Sequence, residues 1–197
     1  MEVLVVGNTA YVDDDFCAKA FPGDHVQVVA AAEARRDESS PHASWKELLQ
    51  HLDQAYEFER VVYLSNYLTP HTDIVGDIEL LRSVFRACAG RRVQLLYVAG
   101  PAGAEGAADA AGRTGKGIIA RAANDLCRHY AAHEGVQAKI LRVPFLYTAS
   151  AALEDPFFAP LFDACLTGSV ALQGSEDAAF PLLCAEELAV LVHRIFD

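Results

Sequence analysis

Short apolar runs rich in β-branched residues alternate along the chain with longer stretches in which apolar side chains recur every three or four positions. The runs Val3 to Val6, His25 to Ala32, Val61 to Leu64, Val93 to Val98 and Gln137 to Val143 are too short for helices and predict buried strands. Helical spacing predicts a first helix carrying Phe16, Ala18 and Ala20, and a second burying Leu48, Leu49, Leu52 and Tyr56, opened by Ser44 and Glu47 as a capping box. It also predicts helices from about Asp73 to Ala89 ended by Gly90, from about Lys116 to Glu134 stopped by Gly135, and from Glu186 to Phe196. Asp155-Pro156 starts one more helix to about Leu166, and Val170 to Gln173 reads as a short strand. Phe21-Pro22-Gly23-Asp24 is a turn, and Gly100 to Gly115 is a Gly/Ala-rich loop. Strands alternating with helices imply a parallel sheet covered by helices on both faces.

A length of 197 residues with 52% hydrophobic content suits one domain with a sizeable core. No internal repeat or long linker divides it. The formal charge of −11, with no run of Lys and Arg along the sequence, argues against a nucleic-acid backbone or an anionic membrane as partner. Cys17, Cys88, Cys127, Cys165 and Cys184 stand far apart without a CxxC pair, which predicts reduced, mostly buried thiols in a cytoplasmic protein. There is neither a basic n-region followed by an apolar stretch nor an apolar run of about 18 residues.

The first strand passes through Gly7 towards a helix N-terminus, which is how a nucleotide-binding α/β domain begins. Three further stretches carry local signatures. Asp73-Ile74-Val75-Gly76-Asp77-Ile78-Glu79-Leu80-Leu81 looks like an N-V-x-G-T-x-N-L-L helix, and Ile140-Leu141-Arg142-Val143-Pro144-Phe145-Leu146-Tyr147 like an L-R-x-x-N-V-Y-G strand and loop. Ala185-Glu186-Glu187-Leu188-Ala189 looks like a V-D-D-L-A helix start. In this order the signatures resemble the extended short-chain dehydrogenase/reductase family, the NAD-dependent epimerase/dehydratase group, over nearly the whole chain. The resemblance implies a Rossmann-like, doubly wound parallel sheet in a single domain, residues 1–197. It places NAD(P) at the opening turn of Gly7, Asn8, Thr9, Ala10, Tyr11 and Val12. Family members continue into a substrate-binding lobe. By the resemblance, that lobe is absent here or the chain is the amino-terminal domain of a longer protein.

The departures from the family matter more than the matches. Its opening G-x-x-G-x-x-G brings backbone close to a pyrophosphate, but here Ala10 and Asp13 follow Gly7 at the second and third glycine positions. Asp13, Asp14 and Asp15 set carboxylates where the ligand would bring its own negative charge. The ribose-binding acid is replaced by Ala31, with Glu33 two residues on as a substitute, and Arg35 and Arg36 read as solvated. The family's Tyr-x-x-x-Lys pair, in which lysine lowers the tyrosine pKa, falls on Lys116 and Ala120. Its strand-end serines fall on Val98-Ala99-Gly100, and its asparagine on Phe145.

Other candidates reduce to ordinary features. His129 and His133 have the spacing of a shared metal site, but no H-E-x-x-H glutamate or third ligand accompanies them, so they read as surface histidines. Helix capping explains Asp13-Asp14-Asp15 better than a hard cation does. Cys184, just before the last helix, reads as a buried structural thiol, and Tyr11 and Tyr147 are phenols without a lysine four residues on. The expectation is therefore a module for binding, sensing or assembly, with no catalytic residue, no metal and no resident cofactor. The alternatives are an NAD(P)-dependent oxidoreductase or epimerase with displaced catalytic groups, and a non-catalytic dinucleotide sensor. On the helix from Asp73, Ile74, Ile78, Leu81, Phe85 and Cys88 form a core stripe, and Leu80, Val84 and Ala87 a second one turned away. With Ile118 and Ala122 beside the line of Ile119, Ala123 and Leu126, this predicts a homodimer through helices 73–89 and 116–134, the pairing the resemblance also implies. A protein partner or fused domain is the other expected contact.

Overall fold

The computed structural model describes residues 1–7, 11–30, 58–65, 74–100, 115–147 and 182–197. The helix opened by Ser44, the helix after Asp155, the strand at Val170, the loop from Pro101 to Thr114, Ala31, Glu33, Arg35, Arg36 and Cys165 lie outside these residues. Strands β1 (Glu2–Gly7), β2 (His25–Ala30), β3 (Arg60–Leu64), β4 (Gln94–Ala99) and β5 (Gln137–Arg142) form one 5-stranded sheet in the order β2-β1-β3-β4-β5. Every pairing in it is parallel. Helices α1 (Asp14–Ala20), α2 (Ile74–Cys88), α3 (Gly115–His133) and α4 (Ala185–Phe196) complete the described elements of this doubly wound α/β domain, together with two short strands introduced below.

The central strands are continuous apolar runs because both faces of the sheet are covered. Alternate residues of β1 point to opposite sides. Leu4 and Val6 join Tyr63, Leu95 and Tyr97 under α2 and α3. Val3 and Val5 join Val62, Leu96 and Val98 under α1 and α4, where Phe16, Phe21, Leu188 and Val192 cover them.

One expectation fails here. Leu80, at 2% exposure, and Val84, at 0%, do not face outward; they lie in the same core cluster as Leu81 and Phe85. The helix needs two apolar stripes because it touches two neighbours, the sheet and α3. From α3 come Ala123, Cys127 and Tyr130, with the Phe85 and Tyr130 rings stacked at 5.2 Å. The second stripe is therefore satisfied within the chain, and Glu79, Arg82, Arg86, Arg121, Asp125 and Arg128 are exposed on these helices.

Two further strands were not expected. β6 (Phe145–Tyr147) and β7 (Leu182–Cys184) form a 2-stranded parallel sheet, in the stretch read as a loop after β5 and in the approach to α4. The close of α4 is held by cations from the sheet. Arg60 donates to the Phe196 carbonyl at 3.2 Å and lies over the Phe196 ring, 5.1 Å from its centroid. Lys139 donates to the Ile195 carbonyl at 2.6 Å. These last-turn carbonyls have no intrahelical donor, and positive charge there also favours the helix dipole. Among the described residues, no helix is long and apolar enough to cross a membrane.

Candidate functional site

From β1 the sheet steps one way to β2 and the other way through β3 to β5. The carboxyl ends of β1 and β3 therefore flank the point where the winding reverses, and ligands of open α/β sheets bind outside that edge. Gly7 pairs with Leu64 across it. The glycine has φ +115°, and a Cβ built on it would stand 2.0 Å from the Leu64 carbonyl oxygen. The glycine is thus required by the backbone around it.

Beyond Gly7, Asn8, Thr9 and Ala10 lie outside the described residues. Tyr11 is buried, Val12 packs half-buried against the α1 and α4 core, and Asp13 is the N-cap of α1. The Asp13 side chain accepts a hydrogen bond from the Phe16 N–H at 2.8 Å, and Asp14 and Asp15 are exposed in the first turn. A carboxylate of the chain thus satisfies one of the donors that a bound phosphate would use. Replacing Asp13 with alanine should cost about 1 kcal/mol of stability in thermal denaturation, and with glycine only a few tenths.

Around the rest of the edge the groups are mostly apolar. Val98 and Ala99 close β4 as buried residues, and the Ala99 carbonyl accepts from the Val143 N–H at 2.8 Å. Lys116 belongs to the first turn of α3, and Ala120, one turn on, is buried. Ser65 was not a sequence candidate, since one serine after an apolar strand carries no pattern. Its N–H donates to the Val98 carbonyl at 3.0 Å, while its buried hydroxyl oxygen has no hydrogen-bond partner among the described residues.

The β6–β7 pairing sets Tyr147 beside Cys184, which stands at the N-cap of α4. Cys184 is half-buried rather than buried, and its thiol donates to the Glu186 carboxylate. That hydrogen bond is the main cause holding the Glu186 carboxyl below its usual range. The Tyr147 phenol is pushed up, by its electrostatic interaction with Cys184 first, then by desolvation and Glu187. This is the opposite of what a proton-exchanging tyrosine needs. Burial raises Cys88 to about 12 and Cys127 to about 11, so both are inert thiols at neutral pH. His129 and His133 are exposed, with ring centroids 5.1 Å apart, and no group of three or more metal-ligand types comes together among the described residues.

Sheet order, the reversal of winding between β1 and β3, and helices on both faces define a Rossmann-like α/β domain. Among solved structures the chain is similar to a dTDP-glucose 4,6-dehydratase, DesIV of Streptomyces venezuelae, solved with NAD bound. The TM-score is 0.70 at 12% identity, over 100% of this chain and 72% of that one. A UDP-glucuronic acid 4-epimerase of Bacillus cereus, in complex with UDP-glucuronic acid and NAD, matches with TM-score 0.68 at 12% identity, over 96% of this chain and 71% of that one. A GalE-like L-threonine dehydrogenase of Cupriavidus necator, in apo form, matches with TM-score 0.52 at 18% identity, over 99% and 69%. At these identities the likeness is one of fold. No protein-family model and no curated protein sequence matches the chain.

Proposed function

We propose that the chain is a non-catalytic relative of the NAD-dependent epimerases and dehydratases, keeping their Rossmann framework as a binding or assembly module. The observation that carries this reading is the Asp13 carboxylate capping α1 at 2.8 Å, in the place where a dinucleotide pyrophosphate would be received. The buried Ala120 at the position of the family's lysine, and the upward shift of Tyr147, point the same way. The NAD-bound relatives favour the rival, a working NAD(P)-dependent oxidoreductase with displaced groups.

Calorimetry with NAD+, NADP+ and their reduced forms tests the reading. The expected dissociation constant is no better than roughly 100 µM, because each lost hydrogen bond to a charged phosphate removes about 1.5–3 kcal/mol. Ala10→Gly with Asp13→Gly should tighten whatever binding exists, at little cost in stability. Nicotinamide absorbance should stay constant with nucleotide sugars, aldehydes and ketones. Turnover abolished by Tyr11→Phe or Tyr147→Phe would establish the rival, and low-micromolar binding without turnover would indicate a dinucleotide sensor.

A further inference from the structure

α3 ends with two imidazoles on one face. His129 and His133 stand four residues apart and exposed, with ring centroids 5.1 Å apart and planes tilted by 46°. Side chains at this spacing are neighbours on a helix, whereas adjacent residues do not face each other, which sets Arg128 to one side of the pair. A metal–nitrogen bond of about 2.0–2.1 Å puts a cation about 3.2 Å from the centre of an imidazole ring. Ring centres 5.1 Å apart then subtend about 105° at a shared ion, close to the tetrahedral angle. The pair already stands at the separation that two ligands of one zinc-like ion require.

The turn that carries them is held in place. Tyr130, between them in the chain, is buried and stacks on Phe85. Its carbonyl accepts from the N–H groups of Glu134 at 3.0 Å and Val136 at 3.2 Å, and the Gly90 N–H donates to the Glu134 carbonyl at 3.3 Å. The His129 ring meets the Tyr130 ring edge-on at 5.4 Å. An ion binding here has no turn to order, which keeps the entropic cost low. It would also lie at the C-terminal end of α3, where the helix dipole favours positive charge, in a chain of net charge −11. The other described histidines differ: His25 is paired with Glu2 at 2.7 Å and His193 with Asp197 at 3.0 Å, neither against a second imidazole among the described residues. We propose that His129 and His133 together bind one divalent cation of the zinc type, with water in the remaining positions. Imidazole suits Zn2+, Cu2+ and Ni2+, whereas Mg2+ and Ca2+ take oxygen ligands. No third protein ligand joins the pair among the described residues. Two ligands in place of four give roughly the square root of a structural zinc site's binding constant, hence a dissociation constant on the order of 1–200 µM. The ion is therefore exchangeable, and its binding stands apart from whether a dinucleotide binds.

Calorimetric titration of the full chain with Zn2+ tests it, with Mg2+ as the negative control. His129→Ala and His133→Ala, both at exposed positions, should each weaken zinc binding about tenfold or more. The double variant should fall no further than the weaker single one, because one imidazole alone is no chelate. His193→Ala and Cys184→Ser should bind as the wild type does, and unchanged circular dichroism checks that every variant remains folded. In proton NMR the ring signals of His129 and His133 should shift with the same dependence on zinc. A wild type that binds no zinc below about 1 mM overturns the proposal. So does a variant of either histidine that binds as the wild type does, or a site lost in His193→Ala or Cys184→Ser instead. Single-variant losses that simply add in the double variant, or ring signals that respond at different zinc concentrations, would show two independent side chains and overturn it as well.

Discussion

Gly7→Ala should leave the chain unfolded. The new methyl would stand 2.0 Å from the Leu64 oxygen and 3.0 Å from its carbon, both backbone atoms in the middle of the sheet. Neither can withdraw without breaking the register that pairs Gly7 with Leu64 and Val6 with Tyr63. The φ of +115° adds strain of roughly 1–3 kcal/mol before any clash is counted. Together these exceed about 4–5 kcal/mol, a large part of the roughly 5–15 kcal/mol that holds a domain folded. Gly23→Ala is the control, because its φ is +80° but nothing lies within 4 Å of the added Cβ. It should cost only about 1–2 kcal/mol. Urea titration followed by circular dichroism separates the two, and a Gly7→Ala protein within about 2 kcal/mol of wild type would contradict the geometry at the end of β1. Gly7 is thus explained by packing alone, so its presence says nothing about a phosphate; Ala10 and Asp13 carry that information.

Val84→Glu should also abolish folding, although the sequence pattern makes the same substitution look like a surface change. Val84 is 0% exposed, in a cluster with Leu80, Phe85 and Ala123. A carboxylate there has to stay protonated in an apolar site or force the helices apart, and the added bulk overpacks a buried position. The expected loss is about 4 kcal/mol or more, whereas Arg82→Ala, exposed one half-turn away, should fall within about 0.5 kcal/mol of wild type. A folded Val84→Glu protein, monomeric or not, would show that α3 does not cover this side of α2.

The strands were legible because a parallel sheet buried on both faces needs unbroken apolar runs, and Val3 to Val6 or Val61 to Leu64 admit little else. The Asp13 cap was legible because a carboxylate just before an apolar helix has a local use. The second stripe on α2 was misread for a physical reason: helical period reports that a face is covered, not by what. Leu80 and Val84 look the same from sequence whether α3 or a second chain lies over them. Tyr147 and Cys184 belong to strands too short to show alternation, so their pairing and the Cys184 thiol's hydrogen bond to Glu186 could only emerge in three dimensions. Ser65 depends on what surrounds its hydroxyl, which no spacing encodes.

The clasp on α4 bears on how the chain is made. Phe196, gripped by Arg60 and lying 6.2 Å from the Phe21 ring, belongs to the helix that covers Val3, Val5 and Phe16. A ribosome adds about 5–20 residues per second, so the α1 side of the nascent sheet waits on the order of ten seconds or more for its cover. Until that helix is made, Phe16 and Phe21 lack the cover that Leu188, Val192 and Phe196 give them in the folded domain.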